Sequence, residues 1–169
     1  GHEVANIDID ETVVDQSNDG ESPIHEPGLD ALVSAYGGTS LRATTDYDAI
    51  RETDLTMMAL PTPNDDEGID LSVMKAGIES VGEALREKDG YHLVVVKSTV
   101  VPGTNEDVLA PIITEASGKT EGEDFDVASN PEFLREGSAV EDFQKPDKLV
   151  FGATSKRAFE WPGDVYAPV

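Results

Sequence analysis

Phe125-Asp126-Val127-Ala128-Ser129-Asn130-Pro131-Glu132-Phe133-Leu134-Arg135-Glu136-Gly137-Ser138-Ala139 is the stretch on which the fold assignment turns. Its first five residues read as a short strand. The chain then empties into a Pro-locked turn carrying Glu132, Arg135 and Glu136. Two carboxylates and a guanidinium so close together build a core poorly. They are well placed, however, at the carboxyl edge of an open α/β sheet, where ligands of such folds sit. Glu132 can take a proton or orient a water, and the backbone after Pro131 offers amide donors. A capped turn with solvated charges is the alternative, and this segment alone does not separate the two.

Working outward from the turn, short apolar runs alternate with helical patterns, the signature of βαβ units on a parallel sheet. The expected strands are Val4–Ile9, Leu41–Ala43, Leu55–Leu60, Leu93–Lys97, Asp126–Ser129 and Leu149–Gly152. Leu55–Leu60 and Leu93–Lys97 are expected at the centre. The clearest helix runs from Leu71 to about Lys88, with Met74, Ile78, Val81 and Leu85 on one buried stripe, Asp70 to cap it and Gly90 after its end. A second helix is expected over 105–116, with Pro111 kinking or breaking it. A third begins at Pro27-Gly28-Leu29 and stops before Gly37-Gly38. Residues 64–67 and 117–124 read as exposed loops. Near the end, Ala158–Trp161 starts helically and Pro162-Gly163 interrupts.

The composition sets limits. At 169 residues the chain suits about one domain. Its 35 acidic and 12 basic residues give a net charge of -23, which repels nucleic-acid phosphates and anionic membrane surfaces. The excess reads as a surface adapted to high salt, with an ordinary acidic protein as the alternative. There is no cysteine, so disulfides, thiolate metal sites and a cysteine nucleophile are excluded within these residues. His2, His25 and His92 are too scattered to suggest a metal site. No apolar run approaches the ~18 residues of a membrane span, and no signal peptide is visible.

The run Asn130–Ala139 resembles the NPEFLREGSA signature of the UDP-glucose/GDP-mannose 6-dehydrogenase family. Further motifs fall in the family's order: Gly28-Leu29, Leu60-Pro61-Thr62-Pro63, Asp70-Leu71-Ser72, Val94-Val95-Val96-Lys97-Ser98-Thr99 and Pro146-Asp147-Lys148. The resemblance covers essentially the whole chain, and Phe133-Leu134 is more similar to the UDP-glucose and GDP-mannose enzymes than to the N-acetyl-hexosamine ones. It implies an α/β, Rossmann-like, mostly parallel sheet with helices on both faces. Gly1-His2-Glu3-Val4 resembles the approach to the family's second strand, so the first β-strand and its Gly-x-Gly-x-x-Gly turn are expected to be lacking here. Residues 1–163 are then expected to form a truncated NAD-binding Rossmann domain. Residues 164–169 would start the connection to the absent central helix and C-terminal domains, where the family's catalytic Lys, Asn and Cys lie.

Site residues follow from residue chemistry and from the resemblance together. Asp8 ends a strand-like run, where a carboxylate accepts from adenosine ribose hydroxyls and rejects a 2′-phosphate, favouring NAD over NADP. Capping of the next helix is the other role for such an Asp, and Asp10 could do that instead. Many relatives carry Lys or Arg five residues on, where this chain has Val13. The resemblance implies cofactor contacts by Thr62, set between two stiffening prolines, and by Thr99; a rigid turn and a helix cap are the respective alternatives. It assigns Thr99 a catalytic water, and Glu132 the role of base or orienting group in releasing a Cys-bound intermediate. Phe133, Leu134, Arg135 and Glu136 resemble the sugar-nucleotide loop, with Glu132 beside them and Glu136 also facing the nicotinamide. Arg135 could instead be a structural ion-pair partner, and Lys97 and Ser98 read as structural.

The function implied for the parent is NAD-dependent oxidation of a nucleotide sugar: UDP-glucose to UDP-glucuronate with two NAD, for polysaccharide biosynthesis. A GDP-mannose enzyme or an inactive nucleotide-binding module are the alternatives. A cytoplasmic, homo-oligomeric parent is expected, the 169 residues being inactive by themselves.

Overall fold

The computed structural model describes residues 2–65, 68–161 and 165–166. It divides into two compact units. One is built from the described residues up to Ala49 together with Phe133–Lys148. The other comprises Ile50–Glu132 and the described residues from Leu149 on.

In the first unit β1 (Val4–Ile7) pairs in parallel with β2 (Leu41–Thr44), Asn6 opposite Ala43. Between them lie α1 (Glu11–Asn18) and α2 (Leu29–Tyr36), a βα-type crossover that parallel pairing requires. The ladder uses the carbonyls of Ser40 and Thr44, so the polar groups of Ala43 point to the outer edge of β2. Asn18 satisfies both of them: its Nδ2 donates to the Ala43 carbonyl at 2.9 Å and its Oδ1 accepts the Ala43 amide at 2.8 Å. A side chain on α1 thus closes a strand edge that would otherwise be open to pairing. The unit also holds α5 (Ala139–Gln144), a helix not anticipated from the sequence.

The second unit is a four-stranded sheet of order β3 (Leu55–Met58), β6 (His92–Val96), β7 (Phe125–Ser129), β8 (Gly152–Ala153). The first three strands are parallel and β8 runs antiparallel to β7. The architecture is the mostly parallel, Rossmann-like α/β arrangement expected. All five residues of β6 are buried. Leu93 and Val95 pack with Ala128 and with Ala158 of α6 (Lys156–Glu160). Alternation sends Val94 and Val96 to the opposite face, where they are equally buried, so helices and loops cover both faces.

The helix read from its apolar stripe is α3 (Ser72–Arg86), with Met74, Ile78, Val81 and Leu85 all essentially inaccessible. Truncating Ile78 to Ala would cost ~2–5 kcal/mol. Asp70 Oδ1 accepts the Ser72 amide at 2.8 Å, taking one of the amides the first turn leaves unpaired. α3 packs against α4 (Ala110–Ser117), and Gly82 makes the approach possible: a Cβ there would meet the Ala116 Cβ at 2.7 Å.

Several expectations need correction. The helix anticipated over 105–116 is a π-helical turn, Asn105–Leu109, followed by α4, and Pro111 sits in the first positions of α4. The proline therefore falls where its missing N–H costs least. Residues 64–67 are not simply a loop. β4 (Asn64–Asp65) pairs antiparallel with β5 (Gly68–Ile69), while Asp66 and Glu67 lie outside the described residues. Leu55–Leu60 is shorter than expected and is the edge of its sheet, not its centre, and Met57 is well exposed. The strand expected over Leu149–Gly152 begins only at Gly152, because the Val150 carbonyl is taken by the Asn130 side chain at 2.9 Å. Pro162-Gly163 and most of 164–169 lie outside the described residues.

Candidate functional site

Asp8 and Asp10 divide the two tasks open to them. Asp10 is the cap of α1, its Oδ1 accepting the Thr12 amide at 2.8 Å. Asp8 stands at the carboxyl end of β1 and turns the chain by accepting the Asp10 amide at 3.0 Å on Oδ1. The capping role thus belongs to Asp10. Asp8 keeps a half-exposed carboxylate at a strand end, an acceptor whose chemistry matches ribose hydroxyl donors.

In the same unit the loop from Phe133 to Ala139 is held by two carboxylates. Buried Glu26 accepts the Gly137 amide at 2.9 Å and the Ala139 amide at 2.8 Å, one on each oxygen. Asp142 accepts the Arg135 amide at 2.9 Å, the Arg135 Nε at 3.0 Å and the Ser138 hydroxyl at 3.2 Å on Oδ2, and an Arg135 terminal nitrogen at 2.6 Å on Oδ1. This bidentate contact holds the Asp142 carboxyl well below the usual carboxylate range, the Arg135 side-chain bonds contributing most. Arg135 is therefore the partner of a structural ion pair, with its guanidinium still largely exposed. Gly137 has φ +83°, a left-handed turn that favours glycine. The Lys148 ammonium sits 4.1 Å from the Phe133 ring centroid. Phe133, Leu134 and Glu136 are all exposed.

In the second unit, Thr62 and Thr99 meet where β3 and β6 end. The Thr62 hydroxyl donates to the Thr99 carbonyl at 3.0 Å. The Ser98 hydroxyl donates to the Leu60 carbonyl at 2.6 Å, and the Lys97 amide to Met58 at 2.9 Å. Thr99 itself is exposed. It is not a helix cap, since the helical segment starts only after Thr104 and has no side-chain cap. Gly103, at φ +91°, makes the turn between them. The π-helical turn that follows runs directly into α4, and π-bulges within helices are found often at functional sites. Here it buries Asn105, whose Nδ2 donates to the Ser129 hydroxyl at 2.8 Å.

At the end of β7 the chain enters Asn130, Pro131 and Glu132. Asn130 is buried, and its amide donates to the Val96 carbonyl at 2.9 Å. Its Oδ1 accepts from Lys97 Nζ at 3.1 Å and from the Tyr166 hydroxyl, and Lys97 also reaches the Tyr166 oxygen at 3.3 Å. Burial pushes the Tyr166 phenol up and so keeps it a donor. Burial holds the Lys97 ammonium below the usual lysine range, and the attraction of Glu132 opposes that shift. Glu132 is exposed.

The family model for the UDP-glucose/GDP-mannose dehydrogenase family, NAD binding domain, matches residues 1–169. The chain belongs to that family. A UDP-glucose 6-dehydrogenase of Haloferax volcanii is 58% identical over 170 residues, covering 100% of this chain and 40% of that protein. A GDP-mannose dehydrogenase from Pseudomonas aeruginosa, solved as a ternary complex, superposes with a TM-score of 0.95 at 40% identity over 100% of this chain and 39% of its own. A UDP-glucose dehydrogenase from Pyrobaculum islandicum gives 0.92 at 43% identity, with the same coverage. The chain thus spans about two fifths of the length of these relatives. It corresponds to the family's NAD-binding domain, and NAD is its cofactor. Among the described residues no helix is long and apolar enough to cross a membrane.

Glu26 and Asp142 hold the loop of the first unit, and Lys97, Asn130 and Tyr166 the turn after β7 in the second; none of the five was among the site residues expected from the sequence. For Asp142 a signal existed: an acid seven residues after Arg135. For Glu26 and Tyr166 there was none, because their partners lie more than thirty positions away.

Proposed function

We propose that this chain is the cofactor-binding part of an enzyme that oxidises UDP-glucose at C6 to UDP-glucuronate. What carries the reading is the 58% identity over the whole chain to a UDP-glucose 6-dehydrogenase. The Asn130–Glu132 turn, fixed at the end of a parallel strand beside the Lys97 cation, supports it. NAD supplies a hydride acceptor, and two equivalents are consumed for each uronate formed. The chain's own residues bind, orient and move a proton. Asp8 accepts the adenosine ribose hydroxyls, and its negative charge disfavours a 2′-phosphate. Pro61-Thr62-Pro63 gives the cofactor a rim that cannot sag, with the Thr62 hydroxyl turned back to Thr99. Thr99 orders a water, and Glu132 takes a proton from it as it attacks the oxidised carbon. Phe133, Leu134 and Glu136 line the sugar-nucleotide loop, and Glu136 also faces the nicotinamide. Arg135 contacts the substrate while its Asp142 pair keeps the loop in shape.

The 169 residues contain neither a cysteine nor a Gly-x-Gly-x-x-Gly turn. We therefore place the thiol that carries the oxidised sugar, and the amides that hold the pyrophosphate, outside them. Residues 1–163 then form most of the NAD-binding domain and 164–169 begin the connection onward. Taken alone, these residues neither turn over substrate nor hold NAD tightly. The full-length protein is a cytoplasmic homo-oligomer whose uronate serves polysaccharide biosynthesis.

A GDP-mannose 6-dehydrogenase is the second reading, favoured by the 0.95 TM-score to an enzyme of that kind. Assaying NADH formation by the full-length protein separates the two. Two NADH per UDP-glucuronate, with GDP-mannose inert, is expected. Turnover of GDP-mannose in preference to UDP-glucose would overturn the assignment.

A further inference from the structure

Lys97 carries a charge that the proposed chemistry does not use. It directly follows β6, is half-buried in a chain of net charge -23, and still holds specific partners. Its Nζ donates to Asn130 Oδ1 at 3.1 Å, the atom that also accepts from Tyr166. The other end of the Asn130 amide donates to Val150 at 2.9 Å, and the backbone of Asn130 is bonded to Val96. Every polar atom of the Asn130 side chain is thereby engaged. Pro131 next fixes φ, so little freedom is left before Glu132. A cation is costly to bury without compensation, and Asn130 and Tyr166 are neutral. Glu132, two residues beyond Asn130, opposes part of that cost by its charge, though burial remains the larger effect.

We propose that Lys97 is a positioning residue for Glu132, fixing the Asn130–Pro131 turn by its hydrogen bond and restricting the Glu132 carboxylate by its charge. The proposal rests on Glu132 being the group that works on water. Lys97 touches neither cofactor nor substrate in this scheme; it acts through Glu132, and that is what distinguishes it from a residue that merely supports the sheet.

The test is a mutant cycle in the full-length enzyme, reading NADH formation with UDP-glucose. Lys97→Gln keeps a donor for Asn130 and removes the charge; Lys97→Met removes both and serves as the second variant. With Lys97→Gln, kcat is expected to fall about ten- to hundredfold, the range a misplaced reacting group produces. KM for NAD should stay within about twofold if the cofactor site is unaffected. In the Glu132→Gln background, adding Lys97→Gln is expected to lower kcat no further, because the group it positions is already lost. Full multiplication of the two losses would overturn the proposal and leave Lys97 a structural residue, as would a parental kcat for both Lys97 variants. A parental kcat for Glu132→Gln alone would instead sink the reading of Glu132 on which the proposal stands. Catalysis of neither sugar nucleotide by the unaltered enzyme would sink the proposed function itself.

Discussion

The Thr62 hydroxyl donates to the carbonyl of Thr99 at 3.0 Å across 37 positions of sequence. The loops that follow β3 and β6 are thus tied to each other at the carboxyl edge of the sheet. Two residues picked for cofactor contact are also each other's support. Thr62 can offer a ligand only its acceptor lone pairs while this bond is made. Replacing Thr62 by Val keeps the shape and removes the bond. Urea unfolding should show a loss of about 1 kcal/mol, the usual net worth of a partly exposed hydrogen bond. In the full-length enzyme, NAD should bind several-fold more weakly by calorimetry if the rim loosens. Unchanged stability and unchanged NAD affinity would together leave the loop rigid through its prolines alone.

Glu26 makes a sharper demand. Its carboxylate receives two backbone amides and is itself buried. Glu26→Ala should cost about 2–3 kcal/mol, since bonds to a charged acceptor are the stronger kind and both amides lose their partner. Hydrogen exchange at Gly137 and Ala139 should accelerate with it. If those two amides kept their protection, another acceptor would be holding the loop.

His92 gives the fold a pH dependence. The ring is buried, with Nδ1 donating to the Thr53 carbonyl at 3.1 Å and Nε2 accepting from the Thr56 hydroxyl at 2.9 Å. Burial first, and then the Lys88 charge, lowers its pKa from 6.5 to about 4. A depressed histidine binds its proton more weakly folded than unfolded. Its contribution is therefore intact above pH ~6.5 and is lost as pH falls toward ~4, by about 3 kcal/mol at most. Denaturation midpoints measured between pH 7 and 4 should fall in the parent and fall less in His92→Gln. Parallel curves for the two proteins would remove His92 as the cause.

The charge of -23 calls for a measurement in salt. If it is an adaptation to high ionic strength, melting temperature should rise from low to molar salt as carboxylate repulsion is screened. A melting temperature indifferent to salt would reject that explanation.

Glu132→Gln in the full-length enzyme should impair turnover more than substrate binding, because its proposed work is on the water and the intermediate. General-base contributions of this kind are worth about 10²–10⁴ in rate. In a single-turnover experiment the aldehyde or thioester should accumulate while glucuronate release slows, and Thr99→Ala should do the same more mildly. Release at the parental rate would make Glu132 a structural residue of its loop.

The sequence by itself determined what depends on local periodicity and local chemistry. Met74, Ile78, Val81 and Leu85 had to share one face of a helix because a 3.6-residue turn allows nothing else. Val94-Val95-Val96, β-branched and apolar on both alternating faces, suited a strand covered on both sides. The run from Asn130 to Ala139 carried its family in its side chains. Boundaries and special geometry were less visible. Whether Pro111 would kink or end a helix depended on the π-helical turn before it, and Asn64–Ile69 gave no alternation strong enough to announce a hairpin. Tertiary structure alone decided the partnerships. Asp8 and Asp10 are both possible caps until the backbone shows which carboxylate faces the Thr12 amide. Arg135 had two readings until Asp142 was placed against it. Lys97, Asn130 and Tyr166 lie as much as 69 positions apart, and no spacing rule reaches so far. Their contact exists because β6 and β7 lie side by side and the segment after β8 returns beside them. The physical reason is general: a hydrogen bond needs only a few ångströms in space, and the distance along the chain is set by topology.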